Sequence, residues 1–492
     1  MVWKGCTPYS VYVLLLLLFA YLFNQLDRYM LAITAKPMAQ DIHFGDQACM
    51  LNTSYTDKDL EGRKCNGTSS DTCSSIEVNG TEHICKWDYN GQGYEYQAVA
   101  GPVFTLVYTF AGIFIGFAAD RYNRKILLAI CLIFWSVMTV LTGAINTYWQ
   151  LVILRFGLGF GEAGCTPFAT SLIADYFEEA TRGLALGVYN WGIYTGYSLS
   201  YALGNKIVEF NILGQSWRWA FYLCGAPGVL LGLVIILSLK EPLRPNKALG
   251  SGHLQTVEGG VCHKLASILK PFLSPSLIML CIAGSIRNAA GYVWAYNTQP
   301  YFQAIQQTPD QIATYMGWIP LVGGSLGVVA GGFISDRIVK RRGLYARVFV
   351  LVVSQICAAP FAAGTLFFDP PYGYICQIPT YLLGEMWVGV TLAVVVELVP
   401  SSIRASAVAV YLFIITNIGG ALPLLVPPLQ QAFEAQGNSK AAALRDALYI
   451  LYPGLYVGGS VLFLLTMFLL KRDQRRMQQS EYQPIDGTSK GE

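Results

Sequence analysis

The sequence predicts an all-α membrane protein with about twelve transmembrane helices in two pseudo-symmetric six-helix bundles, and three observations carry that reading. Of 492 residues, 54% are hydrophobic and only 13% are Asp, Glu, Lys or Arg, where a soluble domain has roughly 25% charged. The charges cluster between apolar runs of about 20 residues, the length that crosses a bilayer core as a helix. The two halves of the chain also repeat one another. The first observation excludes a soluble enzyme, and a net charge of +3 gives no reason to propose nucleic acid as a partner.

The first run, from about Val11 to Ile33, has only Lys4 ahead of it and no small-residue cleavage site, so it reads as a retained helix and not a signal peptide. Further spans are expected near 98–119, 126–145, 148–175, 182–206, 218–239, 272–300, 312–335, 346–367, 373–399, 404–430 and 447–470. Basic residues follow the even-numbered exits: Arg121, Arg124 and Lys125; Lys240, Arg244 and Lys247; Arg337, Lys340, Arg341 and Arg342; Lys471, Arg472, Arg475 and Arg476. Because basic loops stay on the cytosolic side, both termini are expected in the cytosol and the loop after span one outside it.

That loop, 42–97, supports the same orientation. It carries N-x-Ser/Thr sequons at Asn52, Asn66 and Asn79, which are glycosylated only on the non-cytosolic side. It also holds Cys49, Cys65, Cys73 and Cys85, an even set in an oxidising compartment, so two disulfides are expected with the pairing open. The expected division is an N-terminal bundle at 1–239, a Gly-containing cytosolic linker at 240–271, a C-terminal bundle at 272–471 and a cytosolic tail at 472–492.

The repeat is visible residue by residue. Span two ends in Gly116-Phe-Ala-Ala-Asp120-Arg121-Tyr-Asn-Arg124-Lys125, and span eight in Gly332-Phe-Ile-Ser-Asp336-Arg337-Ile-Val-Lys340-Arg341, with every charge in register. Asp175 with Arg182 and Glu397 with Arg404 share a seven-residue spacing after spans four and ten. Two matched pairs point to internal duplication. An ion pair among these residues that forms only when the cytosolic side is shut would act as a gate latch; the plainer reading of the basic residues is a topology anchor.

Twelve spans, duplicated halves and this motif resemble the major facilitator superfamily. More narrowly, Arg155-Phe-Gly-Leu-Gly159-Phe-Gly161-Glu162-Ala163, the stretch Ile173-Ala-Asp175-Tyr-Phe177 with Arg182, Asn24-Gln-Leu-Asp27-Arg28-Tyr29, and Trp217-Arg-Trp219 to Glu241-Pro242 resemble its Spinster-like branch. The resemblance implies a pair of bundles with spans one, four, seven and ten lining a central cavity. The chain departs from the branch in a very short N-terminal tail and a long, cysteine-bearing first loop.

Charges inside apolar runs mark function by default, because placing each at mid-bilayer costs a few kcal/mol. Asp27 and Arg28 lie in span one, Arg155 and Glu162 in span four, Arg287 and Asn288 in span seven, and Glu385 in span ten. Seven residues put Glu162 on the same helix face as Arg155. A carboxylate removed from water binds a proton more readily than one in solution, which makes Glu162 the first candidate proton site and Asp27 the second. Arg28, Arg155 and Arg287 suit a phosphate or carboxylate on the substrate. The competing structural reading is internal salt bridges, Arg155 with Asp27 among them. Trp191, Tyr194, Tyr292, Trp294 and Tyr296 are aromatic candidates for the cavity wall.

Other signals carry less. Gly159-Phe-Gly161-Glu-Ala-Gly164 matches G-x-G-x-x-G but lies inside an apolar helix, where close helix packing explains it better than a nucleotide. None of the four His residues lies in a span, so no metal site is expected there; no cofactor or enzymatic activity has support. In the tail, Tyr482-Gln-Pro-Ile485 matches a tyrosine-x-x-hydrophobic sorting pattern that an adaptor would read, pointing to the plasma membrane or endolysosomes.

The expected function is secondary active transport by alternating access without ATP. Resemblance to the Spinster-like branch implies a lysophospholipid or phosphorylated sphingoid lipid as substrate, with proton coupling. The alternatives are a proton-coupled carrier of a polar organic anion or sugar, and a non-transporting receptor or scaffold that uses the external loop.

Overall fold

The computed structural model describes residues 7–51, 65, 67, 69–74, 85–177, 179–242, 269–343, 345–399 and 404–481. The chain begins with the 35-residue helix α1 (Pro8–Ile42). A small lobe follows: strand β1 (Gln47–Leu51), helix α2 (Ser70–Ser74) and strand β2 (Cys85–Tyr89). The rest of the first half is α3 (Tyr94–Ala100), α4 (Pro102–Arg121), α5 (Arg124–Thr142), α6 (Tyr148–Glu162), α7 (Cys165–Tyr176), α8 (Glu179–Phe210) and α9 (Ser216–Ser238). The second half runs α10 (Pro275–Ala304), α11 (Pro309–Met316), a π-helical turn (Pro320–Gly324), α12 (Ser325–Arg342), α13 (Tyr345–Phe367), α14 (Tyr372–Gly384), α15 (Trp387–Leu398), α16 (Arg404–Ala421), α17 (Val426–Glu434), α18 (Lys440–Leu451) and α19 (Pro453–Glu481).

Local sequence sets the helix starts. Thr7-Pro8 and Ser274-Pro275 open the first helix of each half in the same way: the hydroxyl accepts from a backbone N–H one turn on, and proline takes the first helical position, where its missing N–H costs nothing. Among the described residues, ten helical segments are long and apolar enough to cross a membrane, where the sequence predicts about twelve. The segments outside that count are α6/α7, broken after 15 residues at Glu162, and α8, whose Tyr, Asn, Gly and Ser residues lower its hydropathy.

The lobe is stapled. Its strands pair antiparallel with Cys49 opposite Trp87, and the disulfides are Cys49–Cys73 and Cys65–Cys85. Both strands are thereby tied to the 65–73 segment, which resolves the pairing the sequence leaves open. The sequons at Asn52, Asn66 and Asn79, most of the 240–271 linker, and Tyr482–Ile485 lie outside the described residues.

The apolar core reveals how the halves meet. Two clusters belong to one half each: one around Leu128, Trp135, Phe168 and Tyr189, the other around Leu280, Val394, Tyr411 and Phe463. The two clusters toward the lobe end are shared. Ile33, Tyr197 and Tyr201 of the first half pack with Val293, Trp294 and Met316 of the second, and Tyr296 of the second half packs with Met30, Tyr96 and Phe221 of the first. Buried polar contacts cross the same seam: Tyr96 Oη donates to the Tyr296 carbonyl at 2.6 Å, Gln97 Nε2 to Asn297 Oδ1 at 2.7 Å and Gln299 Nε2 to Asn205 Oδ1 at 2.7 Å. The lobe end is shut. At the opposite end no ion pair joins the halves among the described residues.

Candidate functional site

Helix breaks position the first group of charges. Span four is interrupted between Glu162, the last residue of α6, and Cys165, the first of α7. There the Arg28 guanidinium of α1 donates to Glu162 Oε2 from Nη2 at 2.9 Å and from Nε at 3.3 Å. Two turns back on α6, Arg155 Nη2 donates to the Arg28 carbonyl at 3.3 Å. The shared face predicted for Arg155 and Glu162 therefore grips residue 28 by main chain and side chain together. Phe104 and Tyr108 lie 4.7 and 4.8 Å from the Arg28 guanidinium, an aromatic cage for a buried cation. Glu162 is fully buried, and its second oxygen has no partner among the described residues. Gly159 makes this approach possible: a Cβ there would lie 2.7 Å from the Phe104 carbonyl oxygen, so the G-x-G-x-x-G run is a packing surface.

The second half repeats the arrangement. Span ten breaks between Gly384 and Trp387, and Arg287 of α10 donates there from Nη2 to the Gly384 carbonyl at 2.7 Å and to Glu385 Oε1 at 3.3 Å. Its Nε donates to Gln355, and the rings of Tyr456 and Trp387 lie 4.5 and 5.2 Å away. Glu162 and Glu385 stand 223 residues apart. The other Glu385 oxygen accepts from Tyr194 Oη of the first half at 3.4 Å. Tyr194 reaches it because Gly324, in the π-helical turn, leaves room for its ring.

The candidate charges pair in two groups. The structure brings Arg28, Arg155 and Glu162 together, and separately Arg287 with Glu385; among the described residues no ion pair joins the two groups. Asp27 accepts from Thr139 of α5 at 3.1 Å, within electrostatic reach of Arg155 and Glu162; among the described residues the ion pair that forms is Arg28–Glu162 and not Arg155–Asp27. Asn288 donates to the Ile415 carbonyl at 3.1 Å, and Tyr292 stacks on Tyr296. Trp294, in the core the halves share, stacks on Tyr452 at 4.5 Å with its indole N–H on Gln377. Trp191 of α8 is 54% exposed.

Basic residues at the terminus end clamp carboxylates within each half. Arg124 bonds Asp175 at 2.6 Å and Glu241 at 2.9 Å. In the second half the clamp is Arg347, bonded to Asp336 at 2.6 Å and Glu397 at 2.7 Å. These pairs form two clamps, one inside each half; the latch expected of a shut cytosolic side draws on gate side chains that lie largely outside the described residues. The counterpart of Arg124 is also Arg347 and not Lys340: both lie in the first turn of the third span of their half, again 223 residues apart. The local motif gives a shift of 216 because α12 continues to Arg342 where α4 stops at Arg121. Sequence reasoning missed Arg347, Glu241 and Gln355; aligning Glu162 on Glu385 exposes the first. Arg337 is exposed over the Phe333 ring. The side chains of Asp120, Arg121, Arg182, Lys340 and Arg404 lie outside the described residues.

Comparison with known proteins follows this geometry. The Major Facilitator Superfamily matches residues 17–423. The sphingosine-1-phosphate transporter SPNS2 of Danio rerio is 28% identical over 404 residues, covering 77% of this chain and 76% of that one. Protein spinster homolog 1 of Xenopus tropicalis is 26% identical over 401 residues, covering 76% and 74%. Among solved structures, a bacterial homolog of the human lysosomal transporter Spinster, inward-facing and unoccupied, shares the fold with a TM-score of 0.69 at 22% identity, over 94% of this chain and 97% of that one. With duplicated halves, broken fourth and tenth spans and a family match over most of its length, the chain belongs to the major facilitator superfamily: it is a multi-pass membrane transporter related to the Spinster and SPNS2 transporters, and not an enzyme.

Proposed function

We infer that the chain carries a lysophospholipid or phosphorylated sphingoid lipid by alternating access, coupled to protons. The observation that carries this reading is the pair of buried Arg–Glu contacts, one in each half, at matching helix breaks. A head group bearing phosphate and ammonium offers an arginine of one pair a stronger anion than its glutamate and offers the glutamate of the other a cation. Aromatic rings around both arginines suit the adjoining acyl chain. Protonation of Glu162 releases Arg28 to take the phosphate, which links proton and lipid movement through one contact; Asp27, held by Thr139, is the second proton site.

In this reading the lobe faces the outside or a lumen, both termini are cytosolic, and the conformation described here is open to the cytosol. The bundles 1–239 and 272–471 rock about the midplane, with 240–271 as linker and 472–492 as a tail whose Tyr482-Gln-Pro-Ile485 meets a sorting adaptor. The sequons then carry glycans, which a mobility shift on enzymatic deglycosylation checks. The deciding experiment is paired lipidomics and polar metabolomics, with medium and cells analysed separately, on cells expressing the natural chain or Glu162→Gln. A mutant-sensitive shift in lysolipids or sphingoid phosphates supports the reading. A shift confined to sugars or organic acids replaces the lipid with a polar solute.

A further inference from the structure

Lys440 is the first residue of α18, and local chemistry argues against a lysine there, since a helix N-terminus carries partial positive charge and disfavours a cation. Tertiary contacts answer the conflict. The Lys440 ammonium reaches across to the other half of the molecule, donating to the Gln47 carbonyl of β1 and lying 5.2 Å from the centre of the Trp87 ring of β2. Both acceptors are held in place. Trp87 Nε1 donates to Gln47 Oε1 at 3.0 Å, which fixes the indole face, and the disulfides tie β1 and β2 to the 65–73 segment. Asp46 adds electrostatic attraction from the residue before β1.

The platform belongs rigidly to the first half. Asp46 N–H donates to the Gln92 carbonyl at 3.0 Å, Asn90 N–H to the Asp46 carbonyl at 2.9 Å, and the ring of Tyr89 lies 5.5 Å from that of His43 at the end of α1. Gly91, at φ +71°, lies directly on the backbone of Ala35 and Lys36, where any side chain would collide. Lys440 belongs as firmly to the second half, because α18 buries Leu444, Leu448 and Leu451 in the core shared with α10. The contact thus joins two bodies that must separate at this end whenever the transporter opens toward the lobe. Beneath it lie the buried amide pairs Gln97–Asn297 and Asn205–Gln299.

We propose that the disulfide-stapled lobe is an outer latch, with Trp87 and Gln47 as the catch and Lys440 as the bolt, that holds the lobe-side mouth shut and sets how often the transporter opens there. The latch acts on the conformational equilibrium and requires no particular substrate. It gives the lobe a role within the transport cycle, where partner binding would leave Lys440 free.

The test uses the full chain in lipid nanodiscs with spin labels carried on keto side chains at positions 213 and 436, in exposed loops of the two halves, so that the cysteines stay untouched. Electron–electron distance distributions are compared for the natural chain, Lys440→Met, Trp87→Leu and Lys440→Arg. The long-distance population should rise about tenfold in the first two variants, a shift typical of a single coupling contact, and Lys440→Arg should restore the natural distribution. Reduction of the disulfides should widen the distribution in the natural chain. Lys440 is at the surface, so its variants fold; if Lys440→Met and Trp87→Leu match the natural chain, the latch is overturned.

Discussion

Arg28 and Glu162 meet at 2.9 Å across 134 residues of sequence, and Arg155 holds the Arg28 carbonyl from the same helix that supplies Glu162. Removing one member of such a buried pair strands the other charge, at a cost of about 3–5 kcal/mol. Glu162→Gln keeps an acceptor oxygen for Arg28 but has no titrating group, so it should abolish pH-dependent transport while the protein still reaches the membrane. Arg28→Gln alone should destabilise the purified protein more than Arg28→Gln with Glu162→Gln. Transport assays across a pH series and thermal unfolding in detergent check the two statements; an unchanged pH profile in Glu162→Gln removes the coupling role.

The Arg287–Glu385 pair differs in having a reader from the other half. Arg287→Met should lower stability by about 3 kcal/mol or more, since it takes the cation from Glu385 and the donor from Gln355 Oε1 and leaves the Gly384 carbonyl with Gln355 Nε2 alone. Tyr194→Phe removes only a 3.4 Å contact between halves. It should leave the unfolding temperature within a degree or two and weaken substrate affinity several-fold, as measured by concentration-dependent uptake.

Arg124 and Arg347 each fork between two carboxylates, a geometry lysine does not reproduce. Arg124→Lys and Arg347→Lys should each cost about 1–2 kcal/mol, less than a fully buried pair because the carboxylates are partly exposed. Arg337→Ala, at an exposed site, should be near neutral. Parallel melting curves of the three variants check the order; equal effects at Arg337 and Arg347 would reject the assignment of the clamp.

The lobe disulfides close short loops, 24 residues for Cys49–Cys73. Replacing Cys49 and Cys73 with Ser should destabilise the lobe by about 3 kcal/mol on a chain-entropy estimate. Hydrogen exchange should speed at the amides of β1 and β2 and stay slow in the buried turns of α5.

Burial pushes the Asp46 carboxyl above the ordinary 3.8, reinforced by Glu434 and Glu95 and opposed by Lys440. An acid whose folded pKa is raised binds its proton more tightly when folded, so its favourable contribution is present at low pH and is lost as pH rises through the raised value. Asp46→Asn should match the natural chain in melting temperature near pH 4 and exceed it at pH 7. A gap that is constant with pH would show that the carboxyl does not titrate in this way.

How much of this was legible in the sequence follows from the range of each interaction. Hydropathy alone marked Arg28, Arg155, Glu162, Arg287 and Glu385, because a charge in an apolar run costs free energy wherever its partner lies. Helical period put Arg155 and Glu162 on one face. Composition, duplication and cysteine parity are properties of the chain itself, and they determined a two-bundle membrane transporter with a stapled loop.

Partner choice is different, since it depends on how helices distant in sequence pack. Only the tertiary structure decided that Glu162 takes Arg28 while Asp27 meets Thr139, that Arg347 and not Lys340 answers Arg124, that Cys49 joins Cys73, and that Trp294 stacks on Tyr452. The local motif misled at Lys340 because a few extra residues of α12 shift the register, and no nearest-neighbour pattern records such an insertion. Lys440 is the extreme case: its position at a helix start is locally unfavourable, and its reason lies about 390 residues away, in a carbonyl and an indole that only folding brings beneath it.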